Sequence, residues 1–178
     1  NEYELVLNES RALKNSAQKA FQNMAESLHK LPQTIARNKE LLAQKKNFLI
    51  ETEKRKVLVL QVRADKNLFI QDVNRLATLA KNKSQTQEPD STFGQASDKF
   101  QETISLLKKD LAETENLLAE KEQEIIQAKD AVTQAANNLK SSEKLLESTP
   151  EQLKNKEQSL QDAKSEEALR QKEFNLVK

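Results

Sequence analysis

The sequence predicts an all-α protein, an elongated antiparallel helical hairpin of the coiled-coil type. Three observations predict it. One glycine and three prolines among 178 residues leave little for sheets and tight turns, which use glycine for positive φ. Apolar residues recur every seven positions in the second half, which indicates a helical seam. One segment without this periodicity, 82–95, divides the chain into two halves of similar length, which predicts a turn between two arms.

Four helices are predicted within a single helical unit covering residues 1–178, at about 2–30, 32–81, 96–148 and 150–177, with a loop at 82–95. The loop contains Pro89 and the only glycine, Gly94. The breaks at Pro32 and Pro150 follow from the tendency of a residue before proline to avoid helical angles. Thr149 reads as the N-cap of the last helix, with Pro150 at its first position.

The heptad repeat is clearest after residue 97, where every a position is apolar and the d positions are smaller or polar. A column of large apolar a residues beside a column of smaller or polar d residues favours a coiled coil that also packs against a neighbouring helix. The a positions are Ile104, Leu111, Leu118, Ile125, Val132, Leu139 and Leu146. The d positions are Phe100, Leu107, Thr114, Lys121, Ala128, Ala135 and Ser142. The a column continues through Leu153, Leu160 and Phe174, with Glu167 as its one exception.

The first half carries a similar repeat. Its apolar column runs Phe21, Leu28, Ile35, Leu42 and Leu49. We expect a slip of about one residue after Leu49, with the repeat resuming at Val62, Phe69 and Leu76 together with Val59, Val73 and Ala80.

Placing Lys81 opposite Ala96 predicts a register in which opposed residue numbers add to about 177. Several charges then align without having been used to choose the register. The predicted neighbours are Lys54-Arg55-Lys56 with Glu120, Glu122 and Glu124, Arg63 with Glu113 and Glu115, and Lys66 with Asp110. Flanking charges of this kind set the orientation of a helix pair more than its stability.

Two arrangements at the prolines fit the sequence. In one, both arms continue past a bend at each proline, because the heptad phase is preserved across Pro32 and Pro150. In the other, the end helices fold back on the central pair as an intrachain four-helix bundle, which the N-cap pattern at Thr149 favours.

Composition excludes several kinds of site. Without cysteine the chain has no disulfide and no thiolate metal site. A single glycine cannot build a glycine-rich phosphate loop. His29 is the only histidine, and we expect it on the surface near a helix end. We therefore predict no catalytic, cofactor-binding or metal-binding residue, and no cofactor. Because the chain begins at Asn1 and stops inside a helical pattern, we expect it to be part of a longer polypeptide.

Charge is distributed unevenly, although the net charge is only +1. Residues 30–83 contain 13 basic and 5 acidic residues, a local charge of +8. Such a stretch could bind phosphate groups of a nucleic acid or an anionic membrane. The few nearby aromatic residues argue against nucleic acid, and no motif supports a membrane. The predicted register favours a simpler role, in which this charge neutralises the acidic third helix.

Residues 57–62 and 68–70 carry more apolar side chains than one seam can bury, and so does the opposing stretch near residues 106–118. We expect these second stripes to be covered by the end helices or by a second copy, giving a four-helix core. The predicted self-association interface comprises Val57, Leu58, Leu60, Leu68, Ile70, Leu106, Leu107 and Leu117.

The function predicted from these features is non-enzymatic: a segment for self-association or scaffolding within a larger protein. Its partner is a second copy, as a homodimer, or another helical protein. Two alternatives remain open at this point. One is a phosphate- or membrane-surface-binding module that uses the basic stretch at 30–83. The other is a rigid stalk that presents the 82–95 loop, with Phe93 as the tip contact, to a partner.

Overall fold

The structure, a computed structural model, describes residues 1–86 and 91–178. They form two α-helices, α1 (Glu2–Thr86) and α2 (Ser91–Val177), which pack against each other as an all-α hairpin. The described residues contain no β-strand. The predicted fold class is therefore confirmed.

Both helices are longer than predicted, because each continues through its proline. Pro32 lies inside α1 and Pro150 inside α2. Both prolines are exposed and have the same place in the heptad, on the solvent side of the seam. A proline there removes one N–H donor and leaves the carbonyl group four residues earlier facing water. The breaks predicted at these positions are wrong, and so is the intrachain four-helix bundle, because a continuous helix cannot fold back on itself. Thr149 is buried within α2 and does not cap a helix.

The predicted loop at 82–95 is also too long. Residues 82–86 belong to α1 and residues 91–95 to α2, so that Gly94 is helical. Its φ is not positive, and a Cβ atom added to it would have no neighbour within 4 Å. The remaining part of the predicted loop, 87–90, which includes Pro89, lies outside the described residues.

The helix pair divides into two compact units. Unit 1 contains Asn1–Ala43 and Gln134–Lys178, and unit 2 contains Gln44–Thr133. In each unit a segment of α1 packs against a segment of α2, and each unit is described separately below.

Unit 1 is held by a seam of apolar and small polar side chains. Its buried apolar residues are Leu7, Ile35, Ala135 and Leu160. Across the seam, Asn38 Nδ2 donates a hydrogen bond of 2.9 Å to Ser142 Oγ. Glu167, the exception in the apolar column of α2, lies 2.6 Å from Lys14 Nζ and 3.6 Å from Arg11 Nε. Because two cations of α1 meet its carboxylate, an acidic residue is accommodated at a seam position.

Unit 2 has its tightest packing near the end where α1 stops and α2 begins. Val73, Ala77 and Ile104 form a buried cluster, and Phe100 and Leu107 pack against it. Small residues of α1 opposite large residues of α2 allow the two helices to approach closely here. The ion pairs Lys56–Glu122 and Lys66–Asp110 lie within one residue of the predicted register. The antiparallel pairing predicted for this part of the chain is confirmed.

Candidate interaction surface

The middle of the seam in unit 2 is polar. Lys56 Nζ lies 3.6 Å from Glu122 Oε1, and Lys66 Nζ lies 2.9 Å from Asp110 Oδ2. Lys66 also donates a hydrogen bond of 2.7 Å to Thr114 Oγ1. These side chains are partly open to solvent, so each ion pair contributes only about 0–1 kcal/mol. The helices therefore place weakly stabilising groups where large apolar side chains could have been buried.

The buried side of α1 follows one heptad repeat from end to end. Every residue in this column is buried or half-buried, including three cations. The column consists of Leu7, Lys14, Phe21, Leu28, Ile35, Leu42, Leu49, Lys56, Arg63, Ile70, Ala77 and Ser84. The slip predicted after Leu49 is wrong. Lysine and arginine occupy seam positions by laying their aliphatic stems along the partner helix and directing their charges outward.

As a result, three of the six residues assigned to the slipped seam are exposed, whereas Val73 and Ala80 are buried and Val59 is half-buried. Val62, Phe69 and Leu76 each leave about half of the side chain open to solvent. They recur every seven residues, each one position before a seam residue, and therefore form a column along one flank of α1. Phe48 lies two heptads before Val62 in the same column and is also exposed.

Leu58 and Leu79 extend this column. Each lies three or four residues from one of its members, the spacing at which side chains on a helix are neighbours, and both are exposed. Six large apolar side chains of α1 in unit 2 thus form one exposed stripe.

Two residues of α2 lie on the same flank of the helix pair. Phe48 lines a surface hollow together with Glu124, Gln127 and Ala131 of α2, which identifies the side of α2 that borders the stripe. Leu117 is one heptad from Glu124, and Leu106 is three heptads from Gln127. Because the seam keeps its seven-residue period, residues that differ by whole heptads keep the same side. Leu117 and Leu106 are both exposed.

We call this surface the Phe69 face. It lies entirely within unit 2. Its members are Phe48, Leu58, Val62, Phe69, Leu76, Leu79, Leu106 and Leu117. Scattered exposed apolar residues are common in proteins, but large ones concentrated on one flank of a helix pair make this face a candidate interaction surface.

The eight residues predicted as an interface divide between different surfaces. Leu58, Leu106 and Leu117 belong to the Phe69 face. Val57 is exposed on the other flank of α1, and Leu68 is exposed on the side facing away from the seam. Leu60 is half-buried.

The other two predicted interface residues lie in the seam, which corrects their assignment to an outer surface. Ile70 is buried, and Leu107 packs against the Val73 cluster. Both are on the side of their helix that the hairpin itself covers.

Only part of the predicted charge alignment forms ion pairs. Lys54 pairs with Glu51 of its own helix, and Lys121 pairs with Glu124. In residues 1–86 and 91–178, no ion pair joins Arg63 to Glu113 or Glu115. Arg55, also exposed, has no ion pair within these ranges.

Phe93, the predicted tip contact, is half-buried in the first turns of α2. Lys83 Nζ lies 5.6 Å from the centroid of its ring, within the range of a cation–π interaction. Next to it, residues of both helices, including Lys81, Gly94 and Asp98, line a shallow hollow. The aromatic ring is thus partly occupied by contacts within the hairpin.

Unit 1 contains a cleft near the chain termini, lined by Glu2, Tyr3, Val6, Arg170 and Glu173. Arg170 forms ion pairs of 2.8 Å with Glu173 and Glu166. Its hydrogen bonds to Glu173 and then to Glu166 raise the pKa of Arg170 above its ordinary value. Because two carboxylates already meet this guanidinium, the cleft offers no free cation to an anionic ligand.

Other candidate chemistry is sparse in the part of the chain that the structure describes. His29 is exposed. No three histidine, cysteine or acidic side chains among the described residues are grouped so as to hold a metal ion. No stretch of α1 or α2 within those residues is long and apolar enough to cross a membrane.

The sequence contained a signal for the Phe69 face. Counting onward in sevens from Leu49 without allowing a slip leads to Lys56, Arg63, Ile70 and Ala77. A slip follows only when apolar character outweighs an unbroken phase, and it places exposed residues in the seam.

No protein-family model matches this sequence, and no curated protein matches it.

Proposed function

We propose that the chain is a non-enzymatic coiled-coil segment that self-associates through the Phe69 face and serves as a scaffold within a larger protein. One observation carries the proposal: large apolar side chains lie outside while lysines lie in the seam. Val62, Phe69 and Leu76 are exposed beside Lys56 and Lys66. A hairpin that acted alone would be more stable with these residue types exchanged, because buried apolar area stabilises and exposed area does not.

The expected gain from covering the face is sufficient for association. A half-exposed leucine or phenylalanine gains about 1 kcal/mol when the rest of its surface is buried. Eight such residues on each of two copies give a gross gain of about 16 kcal/mol, against a cost of association of about 4–15 kcal/mol.

A second copy is the partner that fits best, since two such faces stacked on each other make a four-helix core. The face spans both helices of the hairpin, so an identical face covers it along its whole length. Homo-oligomers with two-fold symmetry are the commonest assemblies, and they use one patch twice.

Aspartate substitutions test the proposal. Leu58→Asp and Leu117→Asp are expected to shift the mass measured by light scattering from two chains toward one, because each buries a charge in the interface. Val57→Asp is a matched control, since Val57 and Leu58 are both 61% exposed and Val57 lies on the other flank of α1. It should leave the mass unchanged. If Leu58→Asp and Leu117→Asp kept both the mass and the helicity of the native chain, the Phe69 face would not be the interface.

The alternative functions have less support from the described residues. Of the basic residues in the 30–83 stretch, Lys56 and Lys66 are engaged with carboxylates of α2, which leaves fewer free charges for phosphate groups. Sedimentation with anionic vesicles at low and high salt measures this rival directly. Salt-sensitive binding by the chain, and by its Leu58→Asp variant, would favour it over self-association.

A further inference from the structure

We infer that the second copy docks with its hairpin pointing the same way, so that α1 of each copy lies against α2 of the other at the same level. This inference rests on the proposed self-association and adds its geometry. Two stackings of the Phe69 face have two-fold symmetry. In the first, the axis runs along the hairpins and α1 meets α2 of the second copy. In the second, the axis runs across them, and α1 meets α1.

The charges of unit 2 favour the first stacking. In this unit α1, from 44 to 86, has 10 basic and 4 acidic residues, a net charge of +6. The described part of α2, from 91 to 133, has 5 basic and 9 acidic residues, a net charge of −4. Taken over these whole segments, α1 beside α2 of the second copy brings opposite net charges together, whereas α1 beside α1 brings like net charges together. Charge complementarity of this kind selects orientation.

Individual residues of the face also match in the first stacking. Because the two hairpins point the same way, the register within one copy also applies between the copies. A residue of α1 is therefore level with the residue of the second copy's α2 for which the two numbers add to about 177. Val62 then meets Leu117 of the second copy, and Phe48 meets the small side chain of Ala131. Arg55, which interrupts the apolar column and is exposed, comes level with Glu124. Arg55 has no ion pair among the described residues, so it is free to form this one.

The second stacking makes poorer use of the same residues. With α1 against α1, the partner of Arg55 comes from a helix of net positive charge. Leu106 and Leu117 then face each other from two acidic segments, in which Asp110, Glu113 and Glu120 are close along the chain. Like charges opposite each other in an interface oppose the docking.

Disulfide trapping tests the geometry cleanly, because the native chain contains no cysteine. Two variants, Val62→Cys and Leu117→Cys, are prepared separately in the full chain, mixed, and allowed to exchange and oxidise. We expect a disulfide between one Val62→Cys chain and one Leu117→Cys chain. Its yield is limited by the fraction of dimers that contain one chain of each variant. Either variant oxidised alone should give much less, because Val62 lies diagonally from Val62 and Leu117 from Leu117. A matched control pair, Ile50→Cys and Ile126→Cys, is level in the same register but exposed on the other flank, and should not crosslink.

The outcomes separate this inference from the proposed function. Light scattering on the reduced variants first establishes whether they are dimers. If the native chain and both variants were monomers, the proposed self-association would itself be wrong. In dimeric variants, a disulfide formed equally well by Val62→Cys alone would overturn the same-direction docking. So would crosslinking of the control pair in place of the Val62 and Leu117 pair.

A charge exchange provides a second, independent test. Arg55→Glu should weaken the dimer about a hundredfold, since the symmetric dimer contains two Arg55–Glu124 pairs and the loss of each weakens it about tenfold. Adding Glu124→Arg to the same chain should restore most of the affinity. If the double variant were weaker than the single one, Arg55 and Glu124 would not be neighbours across the interface.

Discussion

The register of α1 can be tested by truncating two residues of unit 2 that are four positions apart, Val73 and Phe69. Val73 is 5% exposed within the buried cluster, and Phe69 is 54% exposed on the Phe69 face. Val73→Ala removes two buried methyl groups, at about 0.8 kcal/mol each, and leaves a small cavity. We expect it to lower the free energy of unfolding by about 2 kcal/mol.

Phe69→Ala should have a different effect. In the separate hairpin only the covered half of the ring is lost, at most about 1 kcal/mol, and the higher helix propensity of alanine offsets part of it. In the dimer the other half of the ring is buried in each copy. The variant should therefore weaken association by about 2 kcal/mol, which is about 30-fold in Kd.

Urea denaturation followed by far-UV circular dichroism, at several protein concentrations, separates the two effects. The loss for Val73→Ala should be the same at every concentration. The loss for Phe69→Ala should be small in dilute protein and grow with concentration, since binding to the native state stabilises it by mass action. In the slipped seam both residues would be buried, so a large, concentration-independent loss for Phe69→Ala, comparable with that for Val73→Ala, would refute the register.

Three further substitutions test the helices themselves, each by chemical denaturation. Pro150→Ala should raise the free energy of unfolding by up to about 3 kcal/mol, because Pro150 is exposed inside a continuous helix and lacks the N–H donor; a decrease would instead indicate a capped break. Gly94→Ala should add about 0.5–1 kcal/mol, because the added Cβ meets nothing within 4 Å and glycine is a poor helix former; a loss would contradict a helical Gly94. Glu167→Lys should cost about 1 kcal/mol and less in high salt, since a third cation would join Arg11 and Lys14 at a partly screened site. An equal loss at low and high salt would show that charge is not the cause.

Much of the fold was predictable because the heptad is a strong, repeated signal. The all-α class, the antiparallel pairing and the Lys66–Asp110 contact all follow from the phase of one column and the position of one turn. The ends of the helices were not predictable in the same way. Proline and glycine are helix breakers on average, but an exposed proline on the solvent side of a long supported helix is tolerated, and Pro32 is one.

The exposed apolar residues of unit 2 were predicted only in part. Leu58, Leu106 and Leu117 are exposed as expected, whereas Ile70 is buried in the seam. The difference arises at Lys56 and Arg63. A count of apolar residues treats them as surface positions, but the acidic side of α2 and the length of their side chains let them occupy the seam. When the seam is assigned without the slip, it shifts by one position along α1, and Val62, Phe69 and Leu76 then lie on the exposed flank.

The central claim is that the Phe69 face joins two copies of this chain. Its most direct test is the mass of the native chain, measured by light scattering or sedimentation equilibrium over a range of concentrations up to tens of micromolar. Self-association predicts a mass that rises with concentration toward twice the 20.3 kDa of one chain. A mass of one chain at every concentration would contradict it.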